Sequence, residues 1–317
     1  MKTMPLTLDD IRRARELIAG AAIRTPLLRL NVWDAPADIV LKLENLQPIG
    51  SFKIRGAATA MNMMSRAELA QGVLTASAGN MAQGVAWNAR RLGIRCTVIA
   101  PDSAPETKVR AVERLGGRVI RVPFDRWWQT FSDRNFPGID GTFVHPFDDE
   151  RVMAGNGTIG LELLEDLPEL ESVLIPWGGG GLAIGIATAL RALKPSVHIY
   201  AVEAETGAPF TASWKAGSPQ VVDYRPSFVD GIGSKTVFAN MLAMAKDLLD
   251  GSFTASLDET AAAVKLIAER NRVIAEGAGA VALAVALSGK AGKGPVACIV
   301  SGGNIDAAKL ATILGKP

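Results

Sequence analysis

Short apolar runs alternate with longer amphipathic stretches along most of this 317-residue chain. The runs are rich in Val, Ile and Leu, which favour strands, and the stretches between them repeat apolar residues at helical spacing. Strands are predicted at 39–44, 73–75, 96–100, 118–122, 142–144, 173–175, 197–202 and 296–300. Because strands that alternate with helices build βαβ units, the pattern predicts an α/β fold with parallel sheets.

Helices are predicted in the intervals between these strands, at 57–64, 81–92, 107–115, 125–133 and 182–193. Near the start of the chain, Thr7 and Asp10 have the spacing of a capping box and predict one more helix. The chain around Pro26 is predicted to be extended, since a proline disfavours helix at the residue before it. The region 208–240 is the least regular and is interpreted as a lid or an interface loop.

The composition is that of an ordinary globular protein, with 48% hydrophobic and 21% charged residues. A net charge of +2 argues against a nucleic-acid-binding or membrane-binding surface. The two cysteines, Cys96 and Cys298, lie in apolar runs and are predicted to be buried thiols rather than a disulfide. The first ten residues lack the apolar segment of a signal peptide. These observations predict a cytoplasmic location.

Lys53 lies in the segment 50–56, Gly-Ser-Phe-Lys-Ile-Arg-Gly, between a predicted strand and a predicted helix. A lysine amine forms Schiff bases with carbonyl groups when its pKa is depressed. Far along the chain, four glycines at 178–181 follow one predicted strand and open another helix. Such a turn binds phosphate through its amides. Together they suggest pyridoxal phosphate, which carries both an aldehyde and a phosphate.

The same glycine run allows a second interpretation. Gly178, Gly180 and Ala183 fit the dinucleotide-binding fingerprint, and Glu203 ends the next strand about twenty residues on. This alternative would make the chain an NAD-dependent oxidoreductase. It leaves the segment around Lys53 unexplained.

The segment 43–56 resembles the cofactor-lysine motif of the fold-type II pyridoxal-phosphate enzymes, and more narrowly that of the serine/threonine dehydratases and serine racemase. Four further stretches agree with this family in the same order, so the resemblance covers nearly the whole chain. They lie at 76–84, at 144–149 with 154–158, at 178–182 and at 301–304.

The resemblance implies two open twisted parallel-sheet domains of the tryptophan-synthase-β-like class. A small substrate-gripping domain would comprise residues 71–146, and a large cofactor-binding domain would comprise residues 1–70 and 147–317. It also implies a homodimer. Since the chain ends soon after residue 304, no C-terminal regulatory domain and no isoleucine feedback are expected.

The resemblance also implies site residues. Lys53 would hold pyridoxal 5'-phosphate as an internal aldimine and then act as the catalytic base. The other cofactor-binding residues would be Phe52, Asn80, Gly178, Gly179, Gly180, Gly181, Leu182, Glu276 and Ser301. The substrate would be bound by Ser77, Ala78, Gly79, Asn80 and Gln83.

The implied reaction is β-elimination of a β-hydroxy amino acid such as L-threonine or L-serine, giving a 2-keto acid and ammonia. Two residues depart from the family pattern: Met81 replaces a histidine, and Ala78 replaces the second serine of serine racemase. Racemisation needs a proton donor on the face opposite the lysine, which Ala78 cannot supply. The sequence therefore favours elimination over racemisation.

Dehydration of 3-hydroxyaspartate, or of a bulkier β-hydroxy amino acid, remains an alternative. A substrate β-carboxylate would call for an arginine, and the candidates are Arg126, Arg134 and Arg151.

Some relatives bind a divalent metal, for which Glu203 would be the first ligand. The third ligand position falls on Pro209, which has no ligating side chain, and only Glu205 or backbone carbonyls could substitute. The sequence thus does not support a metal site there. His145 and His198 lack metal-ligand spacing and are interpreted as structural.

Overall fold

The structure, a computed structural model, describes residues 6–77 and 79–315. Its strands are β1 Leu27–Arg29, β2 Ile39–Lys42, β3 Val73–Ala76, β4 Cys96–Pro101, β5 Arg118–Val122, β6 Thr142–Phe143, β7 Ser172–Pro176, β8 His198–Ala204, β9 Gly251–Ala255 and β10 Val296–Ile299. Ala78 lies outside the described residues.

The α-helices are α1 Leu8–Leu17, α2 Lys53–Asn62, α3 Arg66–Gln71, α4 Asn80–Leu92, α5 Glu106–Arg114, α6 Phe124–Asp133, α7 Glu150–Asp166, α8 Gly181–Leu193, α9 Pro209–Ala216, α10 Ala239–Leu248, α11 Leu257–Leu266, α12 Gly277–Ala286 and α13 Ala307–Leu314. A 3-10 turn at Glu44–Leu46 follows β2, and a π-helical turn at Ile267–Asn271 extends α11. No helix within the described ranges is long and apolar enough to cross a membrane.

The chain forms two compact units. The first contains the described residues up to Ile23 together with Gln47–Asn156, and the second contains Arg24–Leu46 with the described residues from Gly157 onward. The predicted small domain, 71–146, lies inside the first unit, which also includes α2. The domain boundaries given by the resemblance therefore differ from these units, and they stay a prediction.

The first unit contains a four-stranded sheet in the order β5-β4-β3-β6, and every neighbouring pair in it is parallel. Helices α2 and α4 pack against each other beside this sheet and share one apolar core. A Cβ atom added at Gly84 would lie 3.2 Å from the carbonyl oxygen of Lys53, so a glycine in α4 lets the start of α2 come close.

The second unit contains a six-stranded sheet in the order β1-β2-β10-β7-β8-β9. Only the edge pair β1–β2 is antiparallel, while the other four pairs are parallel. Helix α12 is buried along its whole length because its sequence consists of glycine, alanine and aliphatic residues. The predicted α/β fold with parallel sheets is thus confirmed.

Two sequence predictions need correction. Helix α2 begins at Lys53 rather than at residue 57, because its first turn carries Lys53 and Arg55, polar residues that apolar periodicity does not detect although Arg55 is fully buried. The region 208–240 is not irregular throughout, since it contains α9, whose first residue is Pro209. A proline at that position suits a helix start, where the amide has no partner within the helix.

Candidate active site

Lys53 is the first residue of α2, and its side chain is partly buried. The Nζ atom donates a hydrogen bond to the carbonyl oxygen of Pro146 at 2.7 Å and lies 5.1 Å from the ring centre of Phe52. Desolvation lowers the pKa of the Lys53 amine from its usual 10.5 to about 8. At neutral pH about a tenth of this amine is then unprotonated, far more than for an ordinary lysine, and attack on an aldehyde requires that form.

The segment that follows β3 reaches the start of α4. The Ser77 amide donates to Ile99 at 3.1 Å, and the Gly79 amide donates to the Ser77 hydroxyl at 3.2 Å. Asn80 is the first residue of α4, and Gln83 is buried one turn further on. The amides of Ser77 and Gly79 thus both have partners within the protein.

The glycine run lies at the carboxyl end of β7, where the chain enters α8. Gly180 has φ +91°, a left-handed conformation that favours glycine, and it is the residue immediately before this 13-residue helix. A Cβ atom at Gly180 would lie 2.5 Å from the ring of Trp177, so a side chain would also collide with a buried indole. The turn suits an anion because a helix N-terminus presents backbone amides and a partial positive charge.

Ser301 lies two residues after β10, the parallel neighbour of β7, so Ser301 and the glycine run lie at the same edge of the sheet. The Ser301 hydroxyl donates to the carbonyl of Ala278 at 3.3 Å. A Cβ atom at Gly279 would overlap the carbonyl oxygen of Gly302, so the glycine in α12 allows this close approach. Ligands of open α/β sheets bind at this kind of edge.

Glu276 precedes the first residue of α12, and only 6% of its surface is exposed. The Glu276 side chain is therefore buried and does not face solvent. Its backbone amide donates to Gly302 at 3.0 Å, which ties the start of α12 to the segment after Ser301.

The residues described so far are those expected for pyridoxal phosphate, and their properties fit that group. The Lys53 amine has a depressed pKa, and the glycine turn precedes a helix N-terminus at the same sheet edge as Ser301. An aldehyde needs the first and a phosphate needs the second.

The three arginines considered for a substrate β-carboxylate all have other partners. Arg134 pairs with Asp148 at 2.7 Å, and the Nε and Nη2 atoms of Arg151 contact the two oxygens of Asp149 at 3.1 and 2.7 Å. Arg126 lies over the ring of Phe136, 5.4 Å from its centre. A dicarboxylic substrate would have to compete with these contacts, which disfavours 3-hydroxyaspartate.

Glu203, the first ligand of the metal site considered above, binds the start of α9. Its two carboxylate oxygens accept from the amides of Phe210 at 3.0 Å and Thr211 at 2.7 Å, and from the Thr211 hydroxyl at 2.8 Å. Burial raises the pKa of Glu203 to about 7, and these hydrogen bonds oppose the rise. The helix N-terminus thus takes the place of a cation, and the donor set does not fit a metal.

We expect Glu203→Gln to lower stability by about 1–3 kcal/mol, because an amide NH₂ would face a backbone donor where a carboxylate oxygen now accepts. Thermal unfolding of both proteins, each with and without millimolar Mg²⁺, measures the effect. We expect Mg²⁺ to leave the wild-type melting temperature unchanged. A rise of several degrees with Mg²⁺ that disappears in the variant would restore the metal interpretation.

The burial and the hydrogen bonds of Glu203 also argue against the dinucleotide-binding alternative. In that interpretation its carboxylate would bind a ribose hydroxyl, yet it is 1% exposed and already accepts three hydrogen bonds.

Some contacts of the candidate site could not be foreseen from the sequence. The Pro146 carbonyl is a backbone atom and leaves no signal in the residue pattern. The His145 ring accepts hydrogen bonds from the amides of Phe147 and Asp148. The search for metal-ligand spacing in the sequence could not reveal these bonds. Pro209, which suits the first position of a helix, is a signal that could have pointed to the partner of Glu203.

Comparison with known proteins identifies the family. The family model described as "Pyridoxal-phosphate dependent enzyme" matches residues 18–302. The chain is 39% identical to an L-threonine ammonia-lyase of Thermotoga maritima, across 98% of this chain and 79% of that protein.

Solved structures agree with this match. A serine racemase of maize superposes with a TM-score of 0.89 and 31% identity, covering 98% of this chain and 97% of its own. A threonine deaminase of Solanum lycopersicum superposes with a TM-score of 0.85 and 32% identity, covering 100% of this chain and 97% of its own. The chain belongs to the family of pyridoxal-phosphate dependent enzymes, with the fold-type II architecture of the serine/threonine dehydratases and serine racemase.

Proposed function

We propose that this protein is an ammonia-lyase that converts L-threonine or L-serine to a 2-keto acid and ammonia by β-elimination. The observation that carries the proposal is the 39% identity to an L-threonine ammonia-lyase along 98% of the chain. The Lys53 amine, with a pKa of about 8, supports it independently, because this chemistry needs an unprotonated amine near neutral pH.

In this proposal Lys53 binds the cofactor through Nζ, and the glycine turn with the N-terminus of α8 binds the phosphate. Phe52, Asn80, Glu276 and Ser301 would contact the ring. Bound pyridoxal phosphate supplies a conjugated ring that takes up the electrons released when the α-proton leaves. Because Ser301 is a hydroxyl and not a carboxylate, it does not force protonation of the ring nitrogen, which suits elimination over transamination.

Lys53 carries the proton transfer. With an amino acid bound in its place on the cofactor, the Lys53 amine would be the base that removes the α-proton. Its lowered pKa favours the unprotonated form that a base requires. The α-proton and the β-hydroxyl together would leave as water, and the enamine would hydrolyse to the keto acid and ammonia.

The substrate carboxylate would be bound at the start of α4. We assign this role to the segment Ser77–Asn80 with Gln83, because the N-terminus of a 13-residue helix favours an anion. Gly79 precedes the first residue of α4, and its lack of a side chain leaves room for a ligand: a Cβ atom added there would meet nothing within 4 Å.

Racemisation is the second candidate, because the maize serine racemase superposes with a TM-score of 0.89. Ala78, where serine racemase has a serine, argues against it, since alanine cannot deliver a proton to the face opposite Lys53.

The proposal extends to the organisation of the protein. We propose a homodimer, because symmetric dimers are the commonest oligomers and because the fully exposed Trp33 follows the edge strand β1. We also propose that residues 71–146 act as the substrate-gripping domain and that the protein works in the cytoplasm. The two free, buried thiols, Cys96 and Cys298, fit a reducing compartment.

We expect the purified protein to absorb near-visible light after incubation with pyridoxal phosphate and to release keto acid from L-threonine or L-serine. Keto acid formation and chiral analysis of the recovered serine are followed in the same reaction. Uptake of cofactor with D-serine but no keto acid would favour racemisation. A protein that takes up no cofactor would refute the proposal.

A further inference from the structure

The segment that follows β6 determines where the Lys53 amine lies. Nζ donates to the carbonyl oxygen of Pro146 at 2.7 Å. Both residues belong to the first compact unit. A neutral amine that donates one N–H in this way has its lone pair directed away from that carbonyl, so the orientation of the Pro146 carbonyl bears on the direction from which Lys53 can attack.

His145 fixes the orientation of that carbonyl. Its Nδ1 atom accepts from the Phe147 amide at 3.3 Å and from the Asp148 amide at 2.8 Å. The Phe147 amide and the Pro146 carbonyl are the two ends of one peptide group. Because a trans peptide is planar, its N–H and C=O point in opposite directions. One peptide group therefore links the His145 ring on one side to the Lys53 amine on the other.

The ring of His145 is itself held firmly. It is 1% exposed and packs against three aromatic rings, with centroid distances of 4.6 Å to Phe131, 4.7 Å to Phe147 and 6.0 Å to Phe143. Burial lowers the pKa of His145 to about 3, with a further contribution from the charge of Arg134. The ring is therefore neutral at the pH of turnover, and since Nδ1 accepts two hydrogen bonds, Nε2 carries the proton.

We propose that His145 is a positioning residue for Lys53: its Nδ1 atom orients the Pro146–Phe147 peptide so that the Pro146 carbonyl holds the lysine amine. The inference rests on the proposed function, because it assumes that Lys53 reacts with the cofactor. A reacting amine must be held close to its near-attack geometry, and a displacement of about 1 Å can reduce the rate a hundredfold. His145 contacts neither cofactor nor substrate in this role.

Three variants separate the acceptor atom from the ring. His145→Asn places an amide oxygen the same number of bonds from Cβ as Nδ1, so it keeps the acceptor. His145→Gln places its amide atoms one bond further out, at the level of Nε2. His145→Leu fills part of the space and has no acceptor.

The main measurement is the rate at which each apoprotein forms its imine with pyridoxal phosphate, followed by visible absorption. We expect His145→Asn to retain at least about a third of the wild-type rate, and His145→Gln and His145→Leu to lose about 10- to 100-fold. Turnover should follow the same order through kcat, with KM for the amino acid nearly unchanged.

Binding of 4-deoxypyridoxine 5'-phosphate, which lacks the aldehyde, is the control. Its affinity should be the same in all four proteins, because it does not involve the Lys53 amine. If His145→Leu does not fold, the comparison of His145→Asn with His145→Gln decides alone, since both carry polar side chains.

The outcomes distinguish this inference from the proposed function. A wild-type protein that forms no imine refutes the proposed function, and the positioning role with it. If the wild type forms the imine and His145→Leu or His145→Gln forms it equally fast, the positioning role alone is overturned. Equal losses in His145→Asn and His145→Gln would overturn it too, since the ring and not the acceptor would then matter.

Discussion

Replacing Lys53 by alanine is expected to remove the near-visible absorption of the loaded protein and to lower keto acid release by at least about a thousandfold. Two functions are lost together, the covalent hold on the cofactor and the base for the α-proton. Absorption spectra after gel filtration and a keto acid assay measure the two losses separately. The melting temperature should fall only modestly, because alanine removes an amine whose burial is costly but leaves the Pro146 carbonyl without its donor.

Lys53→Arg is the matched control for this prediction. Arginine keeps a positive charge at the start of α2 but stays protonated and does not form the imine. We expect it to be as inactive as Lys53→Ala. Substantial turnover in either variant would show that another residue is the base, and imine absorption in Lys53→Ala would show that another lysine binds the cofactor.

A second lysine, Lys42, is buried in the protein and differs from Lys53 in the partner of its amine. Lys42 is fully buried, and its Nζ atom lies 2.6 Å from the Glu162 carboxylate. That ion pair directs the amine toward a carboxylate and away from any ligand. Lys53 has a carbonyl acceptor instead, and burial lowers its pKa. In the sequence, the motif around Lys53 is the one feature that distinguishes it from Lys42.

Eight of the ten described strands and six of the thirteen described α-helices could be predicted, because each of these follows from local signals. The capping box of Thr7 and Asp10 forms as predicted, with Asp10 accepting from the Thr7 amide at 2.9 Å. Strand β5 has the predicted bounds, Arg118–Val122, because an apolar run between turns leaves little choice. By contrast β9 was not predicted, since Gly251–Ala255 carries a single large apolar residue, Phe253.

The candidate site was predictable where a motif dictates the chemistry, and not where it depends on which groups pair on folding. Residues 50–56 predict a reactive amine, and residues 178–182 predict a turn that binds phosphate. The partner of Glu203 is the start of α9, and the partner of Arg151 is Asp149, two residues away on the chain. Composition and spacing do not show which charged side chains are paired. Hydrogen bonds formed on folding decide whether such a side chain can bind a ligand.

Replacing Lys42 by methionine is expected to destabilise the protein by about 3–5 kcal/mol. The Lys42 side chain is 0% exposed and that of Glu162 6% exposed, and Lys42 also donates to the carbonyl of Thr25 at 2.7 Å. Methionine fills a similar volume but leaves a buried carboxylate without its cation and a carbonyl without its donor. The midpoint of urea unfolding, followed by circular dichroism, measures the loss.

Two further variants test whether the charge pair is responsible. Lys290→Met, at an exposed position, should leave the urea midpoint within the usual range for surface substitutions. The double variant Lys42→Met with Glu162→Gln removes both charges and should recover most of the stability, since a buried ion pair contributes little beyond its own desolvation. If the double variant is as unstable as Lys42→Met, packing around Lys42 and not the charge pair stabilises this part of the second unit. Cofactor uptake by folded Lys42→Met should be unchanged, which separates this lysine from Lys53.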